Sequence, residues 1–322
     1  MIIVTGGAGF VGSNIVKALN DKGRTDILVV DNLTNADKCR NLNGLKILDF
    51  VDKNDFADAL RQGVYNYEEI DVIFHQGACS DTMEYNGRYM MKNNHEYSKI
   101  LLHFCMDRKI SFIYASSASV YGSGKSGFKE QSECEQALNV YAFSKLFFDR
   151  YVQRLLKNSH SQIVGLRYFN VFGPQENHKG KMASMVYQMY NQIKKEGRIK
   201  LFKGIGDIDD GEQKRDFIYV KDCVNVNMFF FEDAPKVSGI FNCGTGTAHT
   251  FNQLAKGVIN YMKKGEIEYV DFPQTLVGKY QDYTQADSGK LLVAGYDRGF
   301  TELNEAISAY CKLLDSAEGY FR

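Results

Sequence analysis

The chain has 322 residues, 44% of them hydrophobic and 24% charged, with 29 Gly against 3 Pro, a globular profile that excludes disorder and collagen-like repeats. Its 39 Lys and Arg balance 39 Asp and Glu, so the basic excess of a nucleic-acid binder is missing, and no apolar run approaches the roughly 20 residues of a membrane span. Seven cysteines, never spaced CxxC, give neither a disulfide framework nor a zinc pattern, and no metal is expected.

MIIVTGGAGFVG lacks the basic region and small-residue cleavage site of a signal peptide, which leads us to expect a cytoplasmic protein with reduced thiols. The first strand, Ile2-Ile3-Val4, runs directly into TGGAGFVG (Thr5 to Gly12) and then an amphipathic helix from Ser13 to Leu19, closed by Gly23. Strand, glycines and helix in that order form a dinucleotide fingerprint. Gly6 and Gly7 permit the tight turn, Gly9 lets backbone approach a pyrophosphate, Gly12 permits close packing of the helix, and the helix N-terminus offers N–H groups to the anion. The second strand, Ile27 to Val30, leads to Asp31, about 20 residues beyond the glycines, where a carboxylate meets the adenosine ribose. Asp31 repels a 2′-phosphate by up to roughly 4 kcal/mol at 4 Å and an effective dielectric of 20. Lys38 and Lys53 are counterweights, so these residues leave NAD and NADP both open.

Four further apolar runs follow, Leu45 to Leu48, Val72 to Phe74, Phe112 to Ala115 and Ile163 to Leu166. Such near-continuous runs are the strands of a parallel sheet buried on both faces, so the fold class is α/β with a doubly wound Rossmann sheet. Ser117 follows the fifth strand at the carboxyl edge, where doubly wound sheets place ligands, and can hydrogen-bond a substrate oxygen. A helix from Tyr141 to Leu156 opens with Tyr141-Ala142-Phe143-Ser144-Lys145, and the i, i+4 spacing puts Tyr141 and Lys145 on one face. A phenol is a poor base at neutral pH, but a neighbouring ammonium favours phenolate and makes Tyr141 a general base.

Beyond residue 170 the texture changes to glycine-containing loops, a helix from Ala183 to Lys195, a polar insertion from Gly204 to Gln213, and strands at Asp216 to Val220 and Gly239 to Cys243. The expected division is a dinucleotide-binding Rossmann domain at residues 1–170, to which 216–245 returns. A smaller interleaved α/β substrate lobe takes 171–215 and 246–322.

With these residues the whole chain resembles the extended short-chain dehydrogenase/reductase family in its nucleotide-sugar epimerase and dehydratase branch. RYFNVFGP (Arg167 to Pro174) and RDFIYVKD (Arg215 to Asp222) are similar to family segments that hold the nucleotide-sugar. Dehydratases of the family carry Asp-Glu after the catalytic hydroxyl residue, and Ala118 and Ser119 stand there in this chain, so dehydration is not expected. QGACSDT (Gln76 to Thr82), MMKNN (Met90 to Asn94), NHKGKMAS (Asn177 to Ser184) and KYQDYTQAD (Lys279 to Asp287) are similar to the members that invert C6 of an ADP-heptose for the lipopolysaccharide inner core.

That resemblance implies an isomerase that uses NADP and assembles as a homo-oligomer, a pentamer. It implies Lys38 and Lys53 facing the 2′-phosphate and Phe10, Val11, Asp31 and Asn32 facing the nucleotide. Gln76, Gly77, Ala78, Cys79, Ser80, Asn93, Lys145 and Val171 take the rest of the cofactor. Asn170, Lys181, Gln188, Phe202, Lys203, Gly204, Ile205, Arg215 and Tyr280 line the sugar and ADP, although the chain departs from the family pattern at Lys181, Gln188 and the 204–213 insertion. Lys179 is the distinguishing position. Inverting a carbinol carbon requires proton transfer on both faces, one Tyr serves one face, and the resemblance makes Lys179 the second base, with His178 beside it as the alternative. Two other functions compete: a 4-epimerase or reductase of another nucleotide-sugar, which has no need of Lys179, and a non-catalytic NADP-binding sensor, which has no need of Ser117, Tyr141 and Lys145 together.

Overall fold

The computed structural model describes residues 1–204, 206–273 and 281–321. In chain order its first half holds β1 (Ile2–Thr5), α1 (Phe10–Asp21), β2 (Ile27–Asp31), β3 (Asp49–Asp52), α2 (Lys53–Arg61), β4 (Val72–His75), α3 (Gly87–Met91), α4 (Tyr97–Arg108), β5 (Ser111–Ser117), α5 (Val140–Leu155) and β6 (Ile163–Tyr168). The second half holds β7 (Asn170–Phe172), α6 (Met185–Glu196), β8 (Arg198–Phe202), β9 (Lys214–Arg215), β10 (Phe217–Tyr219), α7 (Val220–Glu232), β11 (Gly239–Cys243), β12 (His249–Thr250), α8 (Phe251–Met262), β13 (Glu266–Val270), α9 (Gly289–Val293) and α10 (Leu303–Ala317). No described helix is long and apolar enough to cross a membrane.

Seven strands form one parallel sheet in the order β11-β6-β5-β4-β1-β2-β3. The order reverses between β1 and β4, and a doubly wound sheet opens its ligand crevice at that point, beyond the carboxyl ends of the strands. Ile2 to Val4, Ile27 to Val30 and Val72 to Phe74 are buried along their whole length, as strands covered by helices on both faces must be. One core packs α1 and α7 on one face of this sheet, and another packs α2, α4 and α5 on the other. A separate core joins α6, α8 and α10 to the β8–β13 pair.

The structure moves several of the expected elements. The third strand is Asp49–Asp52 and not Leu45 to Leu48, whose Leu45 and Ile47 pack as a loop against the sheet's core. As an edge strand with a single neighbour, β3 has no fully buried residue and tolerates Asp at both ends. Gly239–Cys243 pairs with β6 and closes the sheet, whereas Phe217–Tyr219 pairs with β7 in a small parallel ribbon of its own. Within 246–322, α9 packs on β11, and its Leu291, with Tyr296 beyond it, enters the core of the large sheet and not the lobe.

Candidate active site

One cleft of about 800 Å³ crosses the carboxyl edge of the sheet. At its start, β1 ends in a turn where Gly6 has φ +67°, and a Cβ there would stand 2.6 Å from the Gly77 nitrogen. A Cβ on Gly12 would stand 2.1 Å from the Gly6 carbonyl oxygen, so only glycine lets the first turn of α1 sit on this loop. Gly9 is the N-cap of α1 and no side chain caps it, which leaves the helix N-terminus to a ligand. Gly7 does not line the cleft: a Cβ there would meet Val29 Cγ1 and the Val4 carbonyl oxygen at 2.9 Å, so its bareness serves packing.

Asp31 closes β2 and is nearly enclosed. Its carboxylate accepts from the backbone N–H of Ala8 (3.0 Å) and Asn32 (2.7 Å) and from Lys38 Nζ (2.8 Å). Lys53, at the start of α2, donates to Asn93 Oδ1, and burial lowers its pKa against the opposing charge of Asp52. Asn93 lines the cleft from a stretch, Lys92–Glu96, where the helix winds as a π-turn, a distortion that gathers at functional sites. The next residue, Asn94, accepts from the Cys79 N–H at 2.8 Å and donates to Ser144 Oγ on α5 at 3.0 Å.

Ser117 ends β5, and its Oγ accepts from the Ser119 N–H and from Ser119 Oγ, at 3.2 and 2.9 Å. Tyr141 enters on the first turn of α5, which Asn139 caps by accepting from the Ala142 N–H at 2.8 Å. Burial raises the Tyr141 pKa, and a hydrogen bond with Ser117 opposes that rise. One turn on, Lys145 Nζ donates to the Ala115 carbonyl at 2.7 Å, and burial lowers its pKa to about 8, which leaves an ammonium at neutral pH.

One turn further, the buried Asp149 accepts from Tyr114 Oη (2.9 Å), Ser116 Oγ (2.8 Å) and Arg167 Nε (2.9 Å). Arg167 is fully buried and also donates to Glu135 and, at 3.0 Å, to Tyr121 Oη. The network fastens the helix that carries Tyr141 and Lys145 to β5 and β6. Its sequence signal is a third polar residue on the same face, at Tyr141, Lys145 and Asp149, opposite alternate residues of β5.

Lys179 lines the same cleft from a 3₁₀ turn, Asn177–Met182, kinked at Gly180 (φ +52°). Its Nζ lies 5.2 Å from the centre of the Phe10 ring, and burial lowers its pKa against the opposing charge of buried Glu176. His178 also lines the cleft. Burial, then Lys38 and Lys179, push its pKa down to about 4, so the ring is neutral at physiological pH.

The cleft brings together Ser117, Tyr141, Lys145 and Lys179 with Gly6, Gly9, Phe10, Val11, Gly12, Asp31, Asn32, Lys38, Lys53, Gln76 to Ser80, Asn93, Asn170 and Val171. Lys181, Gln188, Phe202, Lys203, Gly204 and Arg215 do not line it. Lys181 is exposed, Lys203 pairs with Asp271 at 2.8 Å, Phe202 packs on Phe272, and Gly204 borders a separate open depression with Asp209, Asp210 and Glu212. Gln188 Nε2 donates to the Gly180 carbonyl at 2.8 Å and so braces the Lys179 turn, while Arg215 lies 5.9 Å from the ring of Phe251, itself a lining residue. Ile205 and Tyr280 lie outside the described residues. Sequence reasoning missed Tyr89, Tyr97, Met185 and Phe251, and it marked the segments of Phe169, Phe172, Met182 and Phe217 without singling out those residues.

A bare glycine turn at an uncapped helix, a carboxylate at the end of β2, and Ser, Tyr and Lys at the end of β5 and the start of α5 fit a nicotinamide dinucleotide beside a reacting hydroxyl. They define an enzyme that exchanges hydride with a nicotinamide at a carbon bearing a hydroxyl. The chain belongs to the NAD dependent epimerase/dehydratase family, whose model matches residues 2–244. Its relatives include the ADP-L-glycero-D-manno-heptose-6-epimerase of Brachyspira hyodysenteriae, 56% identical over 322 residues and 99% of each chain. Among solved structures, the Helicobacter pylori ADP-L-glycero-D-manno-heptose-6-epimerase superposes with a TM-score of 0.85 at 32% identity, over 98% of this chain and 96% of that one. The Thermus thermophilus UDP-glucose 4-epimerase, in complex with NAD, also superposes, with a TM-score of 0.79 at 25% identity, over 98% of this chain and 99% of that one.

Proposed function

We propose that the protein inverts C6 of the heptose in ADP-D-glycero-D-manno-heptose, giving ADP-L-glycero-D-manno-heptose for the lipopolysaccharide inner core, with NADP as its cofactor. The observation that carries this reading is Lys179 in the same cleft as Ser117, Tyr141 and Lys145, two separate proton-handling groups in one cavity. A 4-epimerase working through Tyr141 alone leaves Lys179 without a task. The choice of NADP rests on Lys38 and Lys53 at the Asp31 end and on the state of Asp31, whose charge is already met by Lys38 and two N–H groups.

The turn at Gly6, Gly9 and Gly12 would hold the pyrophosphate, Asp31 the ribose, Lys38 and Lys53 the 2′-phosphate, and Lys145 the nicotinamide half. When bound, the cofactor supplies reversible hydride exchange at C6, with no net consumption. The protein's own work is at the C6 oxygen. Ser117 orients that oxygen by hydrogen bonding, and Tyr141 takes or returns its proton for one stereoisomer, its phenolate favoured by the Lys145 ammonium. Lys179 does the same for the other, and the burial that lowers its pKa raises the fraction of free amine able to accept a proton. Both groups handle only the hydroxyl proton, so the hydrogen on C6 does not exchange with water. The resemblance extends to a cytoplasmic homo-oligomer, a pentamer, which sedimentation analysis checks.

Purified protein given ADP-D-glycero-D-manno-heptose in deuterium oxide is expected to form the L-glycero epimer with protium retained at C6, as read by NMR, and to release NADP on denaturation, as read by mass spectrometry. Turnover of UDP-hexoses without turnover of the ADP-heptose overturns the substrate, and deuterium at C6 overturns the chemistry.

A further inference from the structure

The segment carrying Lys179 is tied to the loop that carries Lys38. Asn35 Nδ2 donates to the His178 carbonyl at 2.9 Å, and the Lys179 N–H donates to the Glu176 carbonyl at 3.0 Å. These two groups belong to one peptide unit, so the plane leading into Lys179 is held at both ends. The His178 ring is held as well. Asn41 is 1% exposed, and its Nδ2 lies 2.9 Å from the Ala8 carbonyl, 3.1 Å from the Gln175 carbonyl and 3.2 Å from His178 Nδ1. The two carbonyls only accept, which fixes that atom as the amide nitrogen; it cannot accept from a ring N–H and its two N–H groups serve three neighbours, so His178 Nδ1 shares one of them as an acceptor, with the proton on Nε2. Gln175 returns a bond from its Nε2 to the Asn41 carbonyl at 2.8 Å, closing the junction between the two loops. After Lys179 the chain turns at Gly180, which is exposed.

We infer that His178 and the Asn35–Asn41 loop form a clamp that positions Lys179, so that His178 acts in epimerisation as a positioning residue through its carbonyl and ring acceptor and moves no proton itself. This rests on the reading of Lys179 as the second base. The neutral ring, with its pKa at about 4, suits a standing acceptor and makes a weak proton acceptor at physiological pH. A catalytic group displaced by about 1 Å loses up to roughly a hundredfold in rate, which is the scale of effect a clamp controls.

The test uses cofactor-loaded full-length protein and the variants His178→Asn, His178→Leu, Asn35→Ala and Lys179→Met, with kcat, KM and cofactor retention measured for each. Asn presents a side-chain oxygen near the place of the ring acceptor, and Leu presents none. His178→Leu and Asn35→Ala should lower kcat by about tenfold or more, with KM and cofactor retention within a few-fold of wild type, whereas His178→Asn should stay within a few-fold throughout. Nitrogen NMR of histidine-labelled protein should show a neutral ring at position 178 protonated on Nε2. Because Asn35 is exposed, its variant keeps the test open if the His178 variants fold poorly. If His178→Asn is as inactive as Lys179→Met while retaining cofactor, the ring does proton chemistry and the clamp is wrong. If His178→Leu and Asn35→Ala both turn over at the wild-type kcat while Lys179→Met is dead, the clamp fails alone. Wild-type turnover by Lys179→Met removes the second base and the clamp together.

Discussion

The proposed choice of NADP over NAD is tested by replacing Lys53 with Ala, because the two cofactors differ only in the 2′-phosphate. Lys38 spends its charge on Asp31 at 2.8 Å, while Lys53 bonds the neutral Asn93 and, among the described residues, forms no ion pair. Burial lowers its pKa, with the Asp52 carboxylate opposing that more strongly than Lys38 adds to it, so Lys53 is a partly desolvated cation that an incoming phosphate would pair directly. A hydrogen bond to a charged group contributes about 1.5 to 3 kcal/mol, which is roughly a tenfold to hundredfold change in affinity. Lys53→Ala should therefore weaken NADP by that factor and leave NAD within a few-fold. Lys38→Ala should also penalise NADP selectively, because Asp31 then faces the phosphate without its cation. Calorimetric titration of both cofactors into wild type and each variant measures the differences. Equal losses for NAD and NADP in Lys53→Ala would refute the placement of the 2′-phosphate.

Three other perturbations reach the rest of the cleft. A Cβ on Gly9 would stand 3.0 Å from the Gly6 carbonyl, so the branched side chain of Gly9→Val fills the mouth of the turn; folded variant should release no nucleotide on denaturation. Asp149→Ala leaves buried Arg167 with Glu135 as its remaining carboxylate, and denaturant unfolding should show a loss of about 3 kcal/mol or more. Lys145 titrates near 8 in the folded chain against its ordinary 10.5, so between those values the unfolded chain binds the extra proton and stability rises with pH. Lys145→Met removes that rise, and its stability advantage over wild type at pH 7 should shrink by up to about 3 kcal/mol towards pH 10; a constant difference across that range contradicts the buried ammonium.

The glycine turn, Asp31, Ser117 and the Tyr141–Lys145 pair were readable from sequence because each is a short motif in a local context that strand and helix periodicity supply. The edge strand was not, because Leu45 to Leu48 looks like a buried strand while one-sided β3 begins and ends with Asp. The RDFIYVKD segment misled for a related reason. Asp216 is buried as an acceptor for the N–H groups of Thr245, Gly246 and Ala286, so it ties its own segment to two loops, and β10 stays out of the main sheet. The substrate wall was the least legible part, since no local spacing encodes the meeting of Phe172, Met185, Phe217 and Phe251 across one cleft. Lys179 was legible only through resemblance, because a lysine in a glycine-containing loop is by itself a surface residue.

The division of labour between two bases is tested most directly by giving Tyr141→Phe and Lys179→Met each pure stereoisomer of the ADP-heptose and following epimerisation by NMR. Both variants should keep NADP and lose epimerisation by at least roughly a hundredfold, the scale of general acid–base catalysis. Each should still oxidise the sugar in the orientation served by the base that remains, and the two variants should favour opposite stereoisomers. Epimerisation by Lys179→Met within a few-fold of wild type contradicts the two-base site and returns the chemistry to Tyr141 alone.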